Sequence, residues 1–407
     1  MAAGEGMEAD GGKRVSSEWS SAVSTTRGQV GDVIRLLADL VAIESVNPDL
    51  VPGASGEAAI ADYCQRWLER HGFEVHRLES RPGRPSIVGV ARGTGGGRSL
   101  MLNGHYDTVG LAGYNGNPLE PRVDNGRLHG RGAYDMKSGV AASMVAAARA
   151  CRYRLSGDVL VALVADEEFA SHGTAEVLMD FTADAAVVTE PSNLQAVLAH
   201  KGFVWFDIII QGRAAHGSRP DLGIDAIAKA GHALVAIEKW SDRLRLGRQH
   251  PTLGPGTAHI SLISGGEEAS SYPAECRITI ERRTLPGETG ASVETELRYL
   301  LGTLSRTVPD FFWRLERGLE RSPFQAEPDH PIVQHLLAQA EQTLGHRPAV
   351  RGEPFWTDCA LLQDAGIPCL MFGADGAGAH AADEWADLAS VEALTDILTG
   401  TIRSFCA

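Results

Sequence analysis

GDVLVALVADEE, residues 157–168, decides the fold. An unbroken apolar run, VLVALVA, is followed at once by Asp166, Glu167 and Glu168. A strand with one wet face alternates; a continuous run of this length reads as a strand buried on both faces, as in a parallel sheet covered by helices. Three more runs end alike. RSLMLNGHYDT (98–108) leads to His105, AAVVTEP (185–191) to Glu190, and IPCLMFGADGAGAH (367–380) to His380. In open α/β sheets the ligand crevice lies beyond the carboxyl ends of the strands, so these side chains converge. Asp135 joins them from GRGAYDMKSG (130–139). Crowded carboxylates repel and call for cations or protons. A two-metal hydrolytic site is the simplest arrangement that satisfies them.

Outward from these runs, helix and strand alternate up to Glu190, giving an α/β domain with a mostly parallel sheet. Helical spacing recurs from about Val30 to Val41 and from Glu57 to His71, with Gly72 as a stop. GTGGG (93–97) lacks the Lys and Ser/Thr of a phosphate loop and reads as a turn between strands. After Lys201 the style changes. FVWFDIIIQG, a helix near Ile224 to Trp240, TAHISLIS, ECRITIERR, a helix near Ala291 to Thr303 and FFWRLERG give the order β-α-β-β-α-β. That is the order of a ferredoxin-like α+β sandwich. The expected organisation is an N-terminal tail (1–27), a catalytic domain in two parts (28–199 and 323–407), and an inserted lid or dimerisation domain (200–322). The tail is rich in Gly, Ala, Ser and charge and reads as disordered rather than as a targeting segment.

The formal net charge of -15 and the lack of a basic stripe argue against a nucleic-acid partner. No apolar run is long enough to span a membrane. Cys64, Cys151, Cys276, Cys359, Cys369 and Cys406 are scattered without a C-x-x-C pair, which fits reduced thiols in the cytoplasm better than disulfides or thiolate zinc.

Each site residue also has a plainer reading. A lone His105 is a satisfied structural histidine. Asp107, two residues on, raises the metal reading, because a carboxylate on the second ring nitrogen fixes the tautomer. Asp135, taken alone, is an N-cap for the helix that starts at KSGVAASMVAAARAC. The DEE run is ordinarily a solvated turn. Here it follows a buried strand, where alternation sends Glu168 towards a metal and a bend frees Glu167 to face the reacting water.

Taken together, GHYDTV, GRGAYDMKSGVAA, DEE, TEPS, GRAAHGSRP, ERRTLPGE and GAHAADEW resemble, in order and spacing, the di-zinc aminoacylase superfamily. That superfamily includes acetylornithine deacetylase, succinyl-diaminopimelate desuccinylase and the glutamate carboxypeptidases. The resemblance runs from about Val30 to the C-terminus. It implies that His105, Asp135, Glu168, Glu190 and His380 hold two zinc ions, with Asp135 bridging; cobalt or manganese are possible substitutes. It implies that Asp107 orients His105, that Glu167 is the general base, and that the Asp135–Met136 peptide is cis. It further implies that His216 polarises the scissile carbonyl, often across a dimer, and that Arg283 binds a substrate carboxylate. Ser270 stands where many relatives carry Asn and is the expected second substrate-binding residue, with a shorter hydroxyl in place of an amide.

The expected activity is removal of an acyl group from an N-acyl amino acid, in the manner of acetylornithine deacetylase, by a cytoplasmic homodimer. Alternatives are a carboxypeptidase acting on a dipeptide, a succinyl-diaminopimelate desuccinylase, and an inactive metal-binding relative. Glu167 and the full ligand set argue against the last.

Overall fold

The computed structural model describes residues 31–407; the expected tail, residues 1–27, lies outside the described residues. The main sheet is parallel at its centre. Leu100–His105 lies between Val159–Val164 and Ala185–Val188, parallel to both, and Cys369–Met371 continues beside Ala185–Val188. The flanks are antiparallel: Ser86–Ala91 pairs with Val159–Val164, Glu74–Leu78 lies outside it, and Ala196–His200 sits against Cys369–Met371. The mostly parallel sheet expected from sequence therefore holds where the site is built.

The unbroken apolar runs have a packing cause. Along Val159–Val164, Val159, Val161 and Leu163 enter the core under the helices Asp32–Val41, Ser138–Ala150 and Leu388–Phe405, while Leu160, Ala162 and Val164 enter a second core on the opposite face. Every residue of this strand is buried, so no polar alternation survives. Because the central strands run the same way, His105 is level with Val164, and the residues that follow each strand emerge along one edge.

Small residues bring the next helix onto that edge. Gly139, in the first turn of Ser138–Ala150, is so close to the strand that a Cβ there would lie 2.0 Å from the Thr189 carbonyl oxygen. Any larger residue would push the helix, and the Asp135 turn before it, away from Glu190.

The inserted region forms a four-stranded antiparallel sheet in the order Thr257–Gly265, Glu275–Thr284, Gly202–Gln211, Phe312–Arg321. This is the ferredoxin-like arrangement. Val204, Phe206, Ile208 and Ile210 point at period two into a core shared with Val293, Leu297 and Leu301 of Gly290–Thr307. Its helix Ala226–Leu246 continues past the Trp240 expected as its end, with Asp225 accepting from the Ala228 N–H at its start. Thr257–Gly265 is an outer strand whose Leu262 and Ile263 are exposed. Among the described residues no helix is long and apolar enough to cross a membrane.

Candidate metal centre and active site

His105 ends its strand with a buried imidazole held from one side. Nδ1 lies 3.0 Å from the Asp107 carbonyl oxygen and 3.4 Å from Asp107 Oδ1. The Asp107 carboxylate is itself saturated: Oδ1 accepts from the Glu167 N–H (3.1 Å), and Oδ2 from the Glu168 N–H (3.2 Å) and Asn47 Nδ2 (2.9 Å). Burial alone would raise its pKa, but these donors and His105 hold it below the usual value.

The other ring nitrogen faces acids. His105 Nε2 is 3.3 Å from Asp135 Oδ1, 3.3 Å from Glu190 Oε1 and 3.8 Å from Glu167 Oε2. On the opposite side, His380 Nε2 is 3.3 Å from Asp135 Oδ2 and 3.0 Å from Glu168 Oε2. One oxygen of Asp135 thus faces each histidine. His380 reaches inward from the GADGAGA loop through a left-handed backbone (φ 60).

Asp135 is not a helix cap: Ser138–Ala150 starts beyond it, with Lys137 at the N-cap position. It sits in a tight turn, Ala133–Lys137, that contains the expected cis Asp135–Met136 peptide. Glu384 clamps this turn. Its Oε1 accepts from the N–H of Tyr134 (3.1 Å) and Asp135 (3.0 Å), and its Oε2 from the N–H of Gly132 (3.0 Å) and from Arg131 (2.8 Å).

The DEE segment leaves the strand through a left-handed Asp166 (φ 69), which sorts the three acids. Asp166 turns into the interior, where its Oδ1 accepts from Arg84 (2.8 Å) and Asn47 (3.2 Å). Arg84 also bonds Glu57 (2.7 Å) and Asp49 (2.8 Å). Glu167 goes to His105 and Glu168 to His380. Simple alternation does not describe this; the turn does. Sequence reasoning missed Asn47, Arg84 and Glu384. Only Glu384 had a signal, standing in the GAHAADEW motif.

Protonation shows the strain of this crowding. Burial, with the neighbouring carboxylates, pushes Glu190 and Glu168 up to about 7 and Glu167 well above its usual value. Hydrogen bonds donated to Asp135 and Glu168 push His380 up to about 10. In His105 burial opposes the charge, but Glu190, Asp107 and Asp135 outweigh it and raise the pKa. Protons stand in for cations here. The donor set fits a metal. His105 Nε2 is buried with no hydrogen-bond partner among the described residues, and ligand atoms of His105, Asp135 and Glu168, and of His105, Glu167 and Glu190, fall within 4.8 Å of one another. Imidazole nitrogens with carboxylate oxygens are the ordinary zinc ligands.

Asp135, Glu167, Glu168, Glu190 and His380 open into a cavity of about 660 Å³, also lined by Arg283, Arg321, Arg351 and Trp356. Arg283 lies on the wall of this cavity. His216 and Ser270 do not line this cavity. Both are exposed, His216 with Nδ1 at 2.8 Å from Ser218 Oγ, and Ser270 accepting from the Gly217 N–H (2.7 Å). A single chain does not bring them to the acids.

Residues 101–404 match the family model described as peptidase family M20/M25/M40. The chain belongs to that family and is a metal-dependent hydrolase of amide bonds. It is 27% identical over 409 residues to the N-formyl-4-amino-5-aminomethyl-2-methylpyrimidine deformylase of Bacillus subtilis, covering 92% of this chain and 95% of the relative. It is 29% identical over 365 residues to the acetylornithine deacetylase of Myxococcus xanthus, covering 85% and 92%. Among solved structures, a tripeptidase from Staphylococcus aureus superposes with TM-score 0.73 at 20% identity, covering 92% of this chain and 98% of the other. A dinuclear metal binding peptidase of the same family from Bacillus subtilis superposes with TM-score 0.70 at 16% identity, covering 95% and 99%.

Proposed function

We propose that this protein removes an acyl group from an N-acyl amino acid by hydrolysis. The observation that carries the reading is the division of Asp135, one oxygen towards His105, which also faces Glu190 and Glu167, the other towards His380, which also faces Glu168. In this reading His105, Asp135 and Glu190 hold one divalent ion, and His380, Asp135 and Glu168 hold the other. Zinc is the expected ion, with cobalt or manganese as substitutes. When bound, the ions polarise the scissile carbonyl and lower the pKa of the attacking water.

The chain's own groups do the rest. Asp107 fixes the His105 ring and the Glu167 backbone. Glu167 takes the proton of the attacking water and then delivers it to the leaving amine, as base and then acid. Arg283, on the cavity wall, helps to orient the substrate carboxylate, fixing the carbonyl over the acids. His216 donates to the developing oxyanion after reaching a site from the inserted domain, in a homodimer joined along Thr257–Gly265. The exposed Leu262 and Ile263 of that edge support the pairing. The domains act as a two-part catalytic body (28–199 and 323–407) and an inserted lid (200–322), in a cytoplasmic enzyme.

A deacylase is preferred over a dipeptidase because relatives spanning most of the chain are a deformylase and deacetylases. The test is a screen of the zinc-loaded enzyme against N-formyl, N-acetyl and N-succinyl amino acids and dipeptides, with amine release measured. Turnover of dipeptides alone would replace the deacylase reading with the peptidase one. No turnover with full metal content would favour an inactive relative.

A further inference from the structure

We infer that Arg321, more than Arg283, receives the substrate's carboxylate. This rests on the acyl-amino-acid reading above and names the group that selects a free acid.

The cavity holds three guanidinium groups, and two are already neutralised. Arg283 Nε lies 2.6 Å from Glu281 Oε1, and Glu281 also accepts from Trp205 Nε1 (2.9 Å). Arg351 is paired with Glu353. Arg321 has no ion pair among the described residues; its hydrogen bonds go to the carbonyl oxygens of Glu320 (3.1 Å) and Ala170 (2.5 Å). A guanidinium carries five N–H groups, so most of its donors remain free. The side chain is half-buried, and burial pulls its pKa below the usual value against the attraction of Asp358 and Asp166. A cation partly withdrawn from water with no carboxylate paired to it directly is stabilised when an anion arrives.

Position strengthens the case. Ala170 belongs to the turn that carries Glu167 and Glu168, so the Arg321 head is tethered to the segment bearing the proposed base. Arg321 lies over the Trp356 ring at 5.7 Å, Trp356 meets Phe203 edge-on at 6.4 Å, and Phe203 carries Arg283 at 5.3 Å. This continuous wall carries two cations and two rings. Arg283 spends its Nε–H on Glu281, whereas the Arg321 N–H groups not taken by Glu320 and Ala170 stay free for a carboxylate. The inserted strand Phe312–Arg321 thereby supplies a specificity group that no motif in the sequence marks.

The test compares N-acetyl-L-ornithine, N-formyl-L-methionine and N-acetyl-L-phenylalanine, each with its carboxamide. The wild-type enzyme is expected to favour the acids. Arg321→Ala lowers the acid-to-amide ratio of kcat/KM about 10- to 100-fold, mainly through KM, and Arg321→Lys keeps part of it. Arg283→Ala lowers the ratio by a smaller factor than Arg321→Ala. An unchanged ratio in Arg321→Ala, or its loss in Arg283→Ala alone, overturns the assignment. If the wild type cleaves none of these compounds, the deacylase reading fails separately. Calorimetry with the same acids then decides: binding lost in Arg321→Ala upholds the inference, while equal or absent binding in the wild type sinks it.

Discussion

Asp107 and Glu167 are joined through the main chain: Asp107 Oδ1 accepts the Glu167 N–H at 3.1 Å while the same carboxylate faces His105. One buried acid therefore sets both the tautomer of a proposed ligand and the placement of the proposed base. Its other oxygen takes the Glu168 N–H and Asn47, leaving no acceptor to spare.

Asp107→Asn puts an NH2 group among these donors. Activity should fall about 10- to 100-fold, together with metal affinity. Steady-state rates and a chelator titration check this. Wild-type metal affinity in the variant would show that Asp107 does not act through His105.

Glu167→Gln removes proton transfer and keeps the shape. Turnover should drop by about 10²–10⁴ while metal content stays at the wild-type level. Elemental analysis beside initial rates separates a base from a ligand: loss of metal would make Glu167 a ligand, consistent with its place in the group with His105 and Glu190.

Glu384→Ala leaves the turn at Gly132–Asp135 without its acceptor and Arg131 without its counter-charge. Uncompensated buried donors of this kind cost about 3 kcal/mol or more. Thermal melting should show a clear fall in Tm. Activity should fall further than stability alone explains, because Asp135 rides on this turn.

His216 lies outside the cavity of its own chain. If it serves a partner's site, His216→Ala and Glu167→Gln are each inactive, but a mixed dimer of the two regains one intact site. Co-expression with two affinity tags tests it. No recovery would place His216 in its own chain's site instead.

His200 gives a pH signature of stability. Burial holds its pKa down, from an ordinary 6.5 to about 4, and Nε2 has no hydrogen-bond partner among the described residues. Above pH 6.5 the ring is neutral in both folded and unfolded chains. As pH falls from 6.5 to about 4 the unfolded chain gains a proton that the folded one refuses. Stability should drop by about 3 kcal/mol across that window. His200→Phe should flatten this part of the stability curve; an unchanged slope by denaturant titration would assign it to other groups.

Sequence alone determined the α/β class, the ferredoxin-like insertion and the roll of acids and histidines. Apolar runs such as VLVALVA report burial on both sheet faces, and the parallel direction of their strands then forces their ends to one edge. Tertiary structure decided what long-range distances and counter-charges decide. A left-handed turn sent Asp166 to Arg84 and left Glu167 and Glu168 for the site. Glu384 proved to hold the Asp135 turn from across some 250 positions of chain. His216 stands apart, and among the described residues Arg321 alone has no ion pair in a cavity where the other arginines have one. Which charge is left over depends on every neighbour at once, and no local pattern of residues carries that sum.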